Sequence, residues 1–548
     1  MILRPYQDKA LIELYAGWLG ALNGLVVSPT GSGKTVLFAK ALSNHQGHSV
    51  AIAHRQELVG QMSRTLGSYG IRHRIIAPSN VVRNIVSTHI QKFGRDFYDP
   101  QAPCAVAGVG TLVSRADKLA HWANQVTLWV LDESHHLIKN NQWGKAVAMF
   151  PNARGLGVTA TPERADGKGL GRHADGLFDF MVEGPGMRDL ITAGYLTEYR
   201  IFCPPSDLDL SSVATGADGD YVRGQLALKT QKSTVMGHVV DHYLRIAPGA
   251  LGITFAPDVE TATQFSAMFN QAGVPAEVVT AQTPDKMRVE IMRRFERREL
   301  LQLVNVDLFG EGVDIPAVEV VTMARATQSY GLYIQQFGRA LRLLEGKERA
   351  IIIDHVGNVL RHGLPDRPRT WTLDRKEKRS GSKTDDGLIP LRNCLNPICL
   401  APYEAVYPAC PFCGWVPVPA GRTAPEMVDG DLCELDAETL AAMRGEIERI
   451  DRHPDAVMRG LQMAGKPYPV AKGAANQHEE RQRAQTVLRE AISWYGGWRR
   501  YLGEPDRVLH RRFYHTFGVD ILTAQTLGRA DAEALAARVN SAMGRVSA

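Results

Sequence analysis

The sequence predicts an α/β protein: two parallel-sheet domains in tandem, a small metal-bound segment, then a helical C-terminal domain. Three observations predict it. Short apolar runs alternate with helical stretches through about the first 370 residues, in two sets. Four of the seven cysteines crowd between Cys394 and Cys413. Beyond Asp436, apolar residues recur at helical spacing. At 548 residues the chain is also too long for a single hydrophobic core.

The first set of apolar runs is Leu25–Val27, Val50–Ala53, Val126–Leu131 and Leu156–Val158. The second is Leu251–Phe255, Ala276–Val279, Leu301–Asn305, Val318–Met323 and Ile351–Asp354. Runs this continuous, with helices between them, read as parallel strands buried on both faces. Two sets read as two domains. Asp207–Asp220, rich in Ser, Gly and Asp, reads as a loop or insertion near their junction. The domains are placed at residues 1–200 and 201–374, the cysteine segment at 391–416 and the tail at 436–548, with linkers at 375–390 and 417–435. In the tail, Ala484, Val487, Leu488, Ala491 and Ile492 fall on one face of a helix.

An apolar fraction of 44% and a charged fraction of 22% are ordinary for a soluble globular protein. No apolar run approaches the roughly 18 residues needed to cross a bilayer. The first residues lack the apolar core and cleavage site of a signal peptide. A cytoplasmic protein with no membrane partner is the expectation. The net charge of +5 permits nucleic-acid binding without demanding it. Basic residues cluster at Arg293, Arg294, Arg297 and Arg298, along Arg361–Lys383, and along Arg499–Arg512. Any one cluster reads as a solvated face; three together favour phosphate contact.

The most informative stretch is Ser28-Pro29-Thr30-Gly31-Ser32-Gly33-Lys34-Thr35, between an apolar strand and an apolar-periodic helix. Gly31 and Gly33 let backbone N–H groups face an anion. Lys34 reaches the β- and γ-phosphates, and the Thr35 hydroxyl suits Mg2+. This predicts a nucleoside triphosphate site. About a hundred residues on, Asp132 and Glu133 end another strand, where a parallel sheet places ligand-binding carboxylates. Asp132 suits a magnesium ligand and Glu133 a base orienting water.

With these residues in place, the chain resembles a superfamily 2 helicase of the DEAH or DExH type, of the kind often encoded by phages and prophages. The likeness covers residues 1 to about 370, in the family's motif order. Leu3-Arg4-Pro5-Tyr6-Gln7 is similar to the adenine-reading motif, which implies that the Gln7 amide reads adenine. Ala53-His54-Arg55-Gln56-Glu57-Leu58 and Gly110-Thr111-Leu112-Val113-Ser114-Arg115 resemble nucleic-acid-contacting segments. Thr159-Ala160-Thr161-Pro162 resembles the motif coupling hydrolysis to nucleic-acid binding. Asn305–Pro316 matches the motif touching nucleic acid and ribose, and Gln335–Arg342 the arginine-finger motif.

The resemblance implies two RecA-like domains and this assignment. Lys34, Asp132, Glu133, Arg339 and Arg342 are catalytic. Gln7, Thr30, Gly31, Ser32, Gly33, Lys34, Thr35 and Asp314 bind ATP, with Mg2+ on Thr35 and Asp132. His135, Thr159, Thr161 and Gln335 couple the domains. His54, Arg55, Thr111, Arg115, Thr254 and Asp307 contact nucleic acid. Ser28 replaces the first Gly of a strict phosphate loop, a change the family tolerates. His135, where DEAD-box RNA helicases have Asp, leans toward DNA helicases and the motor subunits of restriction enzymes.

Cys394 and Cys399, then Cys410 and Cys413, form two short knuckles, the second with Gly414 at its turn. Four thiolates in this pattern suit tetrahedral Zn2+. Two disulfides, unpaired thiols and an iron–sulfur cluster are the alternatives. Cys104, Cys203 and Cys433 stand alone. In the tail, Trp494, Tyr495, Trp498, Tyr501, Phe513, Tyr514 and Phe517 lie among arginines. They form either a small core with a basic rim or a stacking surface for single-stranded bases.

The expectation is an ATP-dependent DNA helicase, with single-stranded or forked DNA and a replication, repair or nuclease protein as partners. The alternatives are a double-stranded DNA translocase, an RNA helicase and a non-catalytic nucleic-acid-binding scaffold.

Overall fold

A computed structural model describes residues 3–163, 169–174, 176–204, 208–216, 220–231, 233, 235–306, 317–367, 369, 371–374, 389–417 and 447–544. The expected site residues Asp307 and Asp314 lie outside the described residues, as do most of both expected linkers.

Each apolar run read as a strand overlaps one. The first sheet holds β1 (Asn23–Val27), β2 (His48–Ala53), β3 (Arg74–Ile76), β4 (Cys104–Gly108), β5 (Val126–Leu131), β6 (Arg154–Thr159) and β7 (Phe180–Glu183), in spatial order β3-β4-β2-β5-β6-β1-β7. The second holds β8 (Tyr199–Phe202), β9 (Gly252–Phe255), β10 (Ala276–Thr280), β11 (Gln302–Val306), β12 (Val320–Met323) and β13 (Ala350–Asp354), in order β10-β11-β9-β12-β13-β8. Every pairing in both is parallel.

The apolar runs are continuous because helices cover both faces. On one face of the first sheet Leu14, Phe38 and Leu66 are wholly buried; on the other Trp129 and Phe178 fill the core. The glycines of β6 make room for these rings. A Cβ on Gly155 would fall inside the Trp129 ring, and one on Gly157 inside Phe178. In the second domain Tyr243, Phe265 and Phe269 are buried against the sheet. After β13 the chain returns to the first domain. Trp371 and Leu373 pack against its core, and Gly171 N donates to Leu373 O at 2.9 Å.

The described chain forms two compact units. The first contains both sheets; the second contains the C-terminal helices and most of the cysteine segment. In the second, the helix Tyr468–Tyr501 packs on Arg529–Ala542 and Asp506–Phe517. Ala484, Leu488 and Ala491 are buried there and Ile492 packs beside them, but Val487 is 53% exposed. The buried stripe runs on to Tyr495 instead. Tyr495, Phe513 and Phe517 are core, with Trp498 against them, while Trp494 and Tyr501 stay exposed. The core reading therefore holds for most of the tail aromatics. The basic cluster at Arg293–Arg298 is neutralised by carboxylates: Arg293 pairs with Glu290, Arg294 with Glu277 and Arg298 with Glu319. No described helix is long and apolar enough to cross a membrane.

Candidate functional site

The carboxyl ends of parallel strands form the edge on which α/β sheets bind ligands. In the first domain five of the expected motifs sit there: Ser28–Thr35 after β1, His54 and Arg55 after β2, Thr111 and Arg115 after β4, Asp132–His135 after β5, and Thr159–Thr161 at the end of β6; the sixth, Leu3–Gln7, opens the helix Pro5–Gly17 ahead of β1. Because β4, β2, β5, β6 and β1 are successive neighbours, the sheet turns scattered sequence positions into one row.

Gly31 (φ 85°) and Gly33 (φ 81°) take the left-handed backbone that glycine adopts without penalty. The helix Lys34–Asn44 starts directly from Gly33. Lys34 Nζ donates to the carbonyls of Ser28 (3.1 Å) and Pro29 (3.3 Å). Burial pushes the Lys34 pKa down, and the Glu133 and Asp132 carboxylates oppose that shift. Burial and the neighbouring Glu133 push the Asp132 carboxyl up.

Glu133 is one of three non-glycine residues with positive φ among the described residues, at 51°. Such a conformation is costly and collects at functional sites. It turns the Glu133 side chain into a buried position where Oε2 accepts no hydrogen bond. His135 Nδ1 lies 3.4 Å from that oxygen and 3.1 Å from Thr159 Oγ1. The Thr159 hydroxyl donates to Thr161 O at 2.9 Å, so His135 Nδ1 is the donor to Thr159. A polar chain thus runs from Glu133 through His135 and Thr159 to Thr161, joining the ends of β5 and β6.

The second domain completes the cleft. The helix Tyr330–Ala340 carries Gln335 and Arg339 one turn apart on one face, and Arg342 follows its end. All three line the same cleft as Lys34, Asp132 and Glu133. Two glycines bring the helix close. A Cβ on Gly331 would meet Thr161 Oγ1 at 3.0 Å, and one on Gly338 would meet Thr30 Cγ2 at 2.7 Å. Away from the cleft, Arg288 pairs with Glu57 across the two domains.

Two expected site residues are held by contacts within the protein. Gln7 Nε2 donates to Ser32 O and Gly33 O, each at 3.1 Å, and its Oε1 accepts from Arg4 N at 2.9 Å. Gln7 braces the phosphate loop. Thr254, expected at nucleic acid, is wholly buried in β9, and its hydroxyl donates to Gln302 Oε1. A side chain closed inside a sheet supports the sheet and touches no ligand. The sequence missed Tyr195, which lines the cleft with the Arg4 guanidinium 4.5 Å from its ring centre. No motif marks it, since the pairing joins segments almost two hundred residues apart.

The four cysteine sulfurs lie within 4.8 Å of one another, and Cys394, Cys399 and Cys410 are buried. The Cys394 and Cys413 sulfurs are 3.5 Å apart, too far for a disulfide. Tetrahedral zinc with bonds of about 2.3 Å needs sulfurs about 3.8 Å apart, so the cluster fits the metal. Both knuckles turn alike: the residue after the second cysteine has positive φ, Leu400 at 48° and Gly414 at 73°.

Comparisons with known proteins agree with this geometry. Residues 1–164 match the family model described as type III restriction enzyme, res subunit, and residues 236–343 match the helicase conserved C-terminal domain. A 51.5 kDa protein of a Lactococcus phage is 30% identical over 395 residues, covering 71% of this chain and 77% of its own. IRC3 of Saccharomyces cerevisiae is 28% identical over 65% of this chain, and the match spans only 52% of that longer protein. The DNA 3'-5' translocase XPB2 of Sulfurisphaera tokodaii is 25% identical, over 65% of this chain and 81% of its own. The helicase domains imply an ATPase that works as a nucleic-acid motor. The chain belongs to the superfamily 2 helicases.

Proposed function

We propose that the protein is an ATP-dependent DNA helicase that couples ATP hydrolysis to movement along DNA. One observation carries the reading: Lys34, Asp132 and Glu133 of one domain share a cleft with Gln335, Arg339 and Arg342 of the other. Thr30–Thr35 wrap the phosphates, and Thr35 and Asp132 would hold the Mg2+ that neutralises charge on them. Glu133, held in a strained backbone, orients the attacking water. Arg339 and Arg342 reach the transferring phosphoryl group only when the cleft is closed. An arginine finger is worth about 10³–10⁵ in rate, so closure gates hydrolysis. Tyr195 and Arg4 offer flat surfaces for the base.

The Glu133–His135–Thr159–Thr161 chain ends against Gly331, so it links the water-orienting group to the domain that moves. His54 and Arg55, just after β2, and Thr111 and Arg115, in and after the helix that follows β4, supply one DNA grip. Cys394, Cys399, Cys410 and Cys413 would hold Zn2+, which fixes the knuckles in place of a core. DNA is favoured over RNA by His135 and by the printed activity of the XPB2 relative. The word translocase in that name keeps a second reading in place, a motor that moves on double-stranded DNA without separating its strands.

The test compares ATPase stimulation by single-stranded DNA, duplex DNA and RNA, then strand displacement on substrates with either overhang. Stimulation by DNA with displacement supports the helicase. Stimulation by duplex without displacement supports the translocase. Preference for RNA overturns the DNA assignment, and no hydrolysis with any of them overturns the motor.

A further inference from the structure

The polar stretch Asp207–Asp220 reads from sequence as a loop or insertion near the junction of the two domains. The structure gives its last residue a task. Asp220 is buried, and its carboxylate takes hold of the turn that launches the helix Tyr330–Ala340. Asp220 Oδ1 accepts from Gln328 N at 2.7 Å, and Oδ2 accepts from Thr327 Oγ1 at 2.9 Å. Arg325 Nη2 lies 3.6 Å from the same Oδ2. Thr327 Oγ1 in turn accepts from Ser329 N at 3.0 Å, and Ser329 Oγ caps the helix by accepting from Leu332 N.

The turn is gripped from the other side as well. Asn358 Oδ1 accepts from Thr327 N at 3.0 Å, Asn358 Nδ2 donates to Arg325 O at 2.9 Å, and His362 Nε2 lies 2.9 Å from Thr327 O. Thr327 and Asn358 are wholly buried. A helix is a rigid lever, so a fixed first turn fixes the residues further along it. Here those residues are Gln335 and Arg339, which enter the cleft, and Gly331 and Gly338, which set its approach.

We propose that Asp220 is a positioning residue for hydrolysis: its carboxylate sets the Arg325–Ser329 turn and, through the helix, the place of Arg339 in the cleft. The inference rests on the proposed role of Arg339. It assigns to the insertion a part in the reaction without any contact with ATP. A displacement of about 1 Å at a catalytic group can cost about 10²-fold in rate. Lys34 is held by the Ser28 and Pro29 carbonyls of its own domain, so loss of Asp220 leaves that grip in place.

The test uses the full chain with Asp220→Ala and Asp220→Asn. Asparagine keeps an acceptor for Gln328 N; alanine keeps none. The expected result is a fall of about 10- to 100-fold in nucleic-acid-stimulated kcat for D220A, with KM for ATP near wild type and most of the loss recovered in D220N. Amide exchange at Gln328 should quicken by about 10-fold or more in D220A, with exchange in the strands of both sheets unchanged. Wild-type kcat in D220A overturns the proposal. So does an equal loss in both variants accompanied by faster exchange throughout the second sheet, which would make Asp220 a general prop. If the wild-type chain hydrolyses no ATP, the functional reading fails. The exchange at Gln328 and across Tyr330–Ala340 then still decides whether Asp220 holds the helix.

Discussion

A Cβ placed on Gly338 would lie 2.7 Å from Thr30 Cγ2, closer than real side chains sit. The second domain therefore meets the phosphate loop at a point with no spare volume. In an isolated helix, alanine in place of glycine gains about 1 kcal/mol, so Gly338→Ala sets local stability against closure. The expected outcome is a melting temperature equal to or above wild type, with nucleic-acid-stimulated kcat down about 10-fold or more, as for a misplaced catalytic group. Thermal melts and steady-state ATPase on one preparation check both signs. An active variant would show that this contact does not limit closure.

Glu133 combines positive φ with a buried Oε2 that accepts no hydrogen bond. A carboxylate held this way is suited to a water molecule. Glu133→Gln keeps the shape and removes the charge. A positioned general base contributes about 10²–10⁴, so kcat should fall by that order while nucleotide binding persists. Fluorescent-nucleotide titration beside ATPase measurement separates the two. Full activity in the variant removes Glu133 from the mechanism.

Much of this was legible in the sequence, for physical reasons that differ by element. The central strands announced themselves because burial on both faces makes continuous apolar runs, as in β5 and β12. The strands β3, β7 and β8 were not read, since each is a short edge strand with one neighbour and less apolar demand. β4, Cys-Ala-Val-Ala-Gly, was missed because its small residues carry little hydrophobic signal. The phosphate loop was legible because its glycines answer a backbone requirement. The contacts of Gln7, Thr254 and Asp220 were not legible because their partners are distant in sequence: Ser32 and Gly33, Gln302, and Thr327. Spacing encodes local geometry and is silent about which segments meet.

Burial holds several histidines neutral. His73 is pushed down to about 4, His355 to about 3 and His362 to about 4. In each case the unfolded chain binds a proton from about pH 6.5 downward while the folded chain does not. Stability contributed by the neutral form is therefore lost as pH falls from about 6.5 toward 4, at about 1.4 kcal/mol per pH unit for each proton. Asp354, raised by burial, acts with the opposite sign. His355→Leu should flatten the slope of stability against pH in this window by about one proton, measured by denaturant unfolding. An unchanged slope would show that His355 takes up its proton in the folded state.

The cysteine cluster should release one Zn2+ per chain to a chelator. Cys410→Ser should lower metal content without changing ATP binding, because none of the four cysteines lines the cleft of the phosphate loop. Metal analysis and nucleotide titration on the same sample check this. A visible absorption band of the purified protein would indicate an iron–sulfur cluster instead, and loss of ATP binding on mild metal removal would contradict the separation.

Arg512 is buried at the junction of the cysteine segment with the tail helices. Its guanidinium pairs with Glu404, the last residue of the short strand Pro402–Glu404, and donates through Nε to Glu504 at 2.8 Å, while Arg499 also pairs with Glu504. Removing one member of a buried ion network leaves its partners charged and unpaired, at a cost of about 3–5 kcal/mol. Replacing the whole network by neutral groups is often close to neutral. Arg512→Met alone should therefore strongly destabilise the second unit, and adding Arg499→Met, Glu404→Gln and Glu504→Gln, which neutralises the whole network, should return most of the loss. Denaturant unfolding followed by tail tryptophan fluorescence, with Trp498 against the core as reporter, measures both. Equal stability of the single and quadruple variants would mean that Arg512 contributes through packing of its stem and not through its charge.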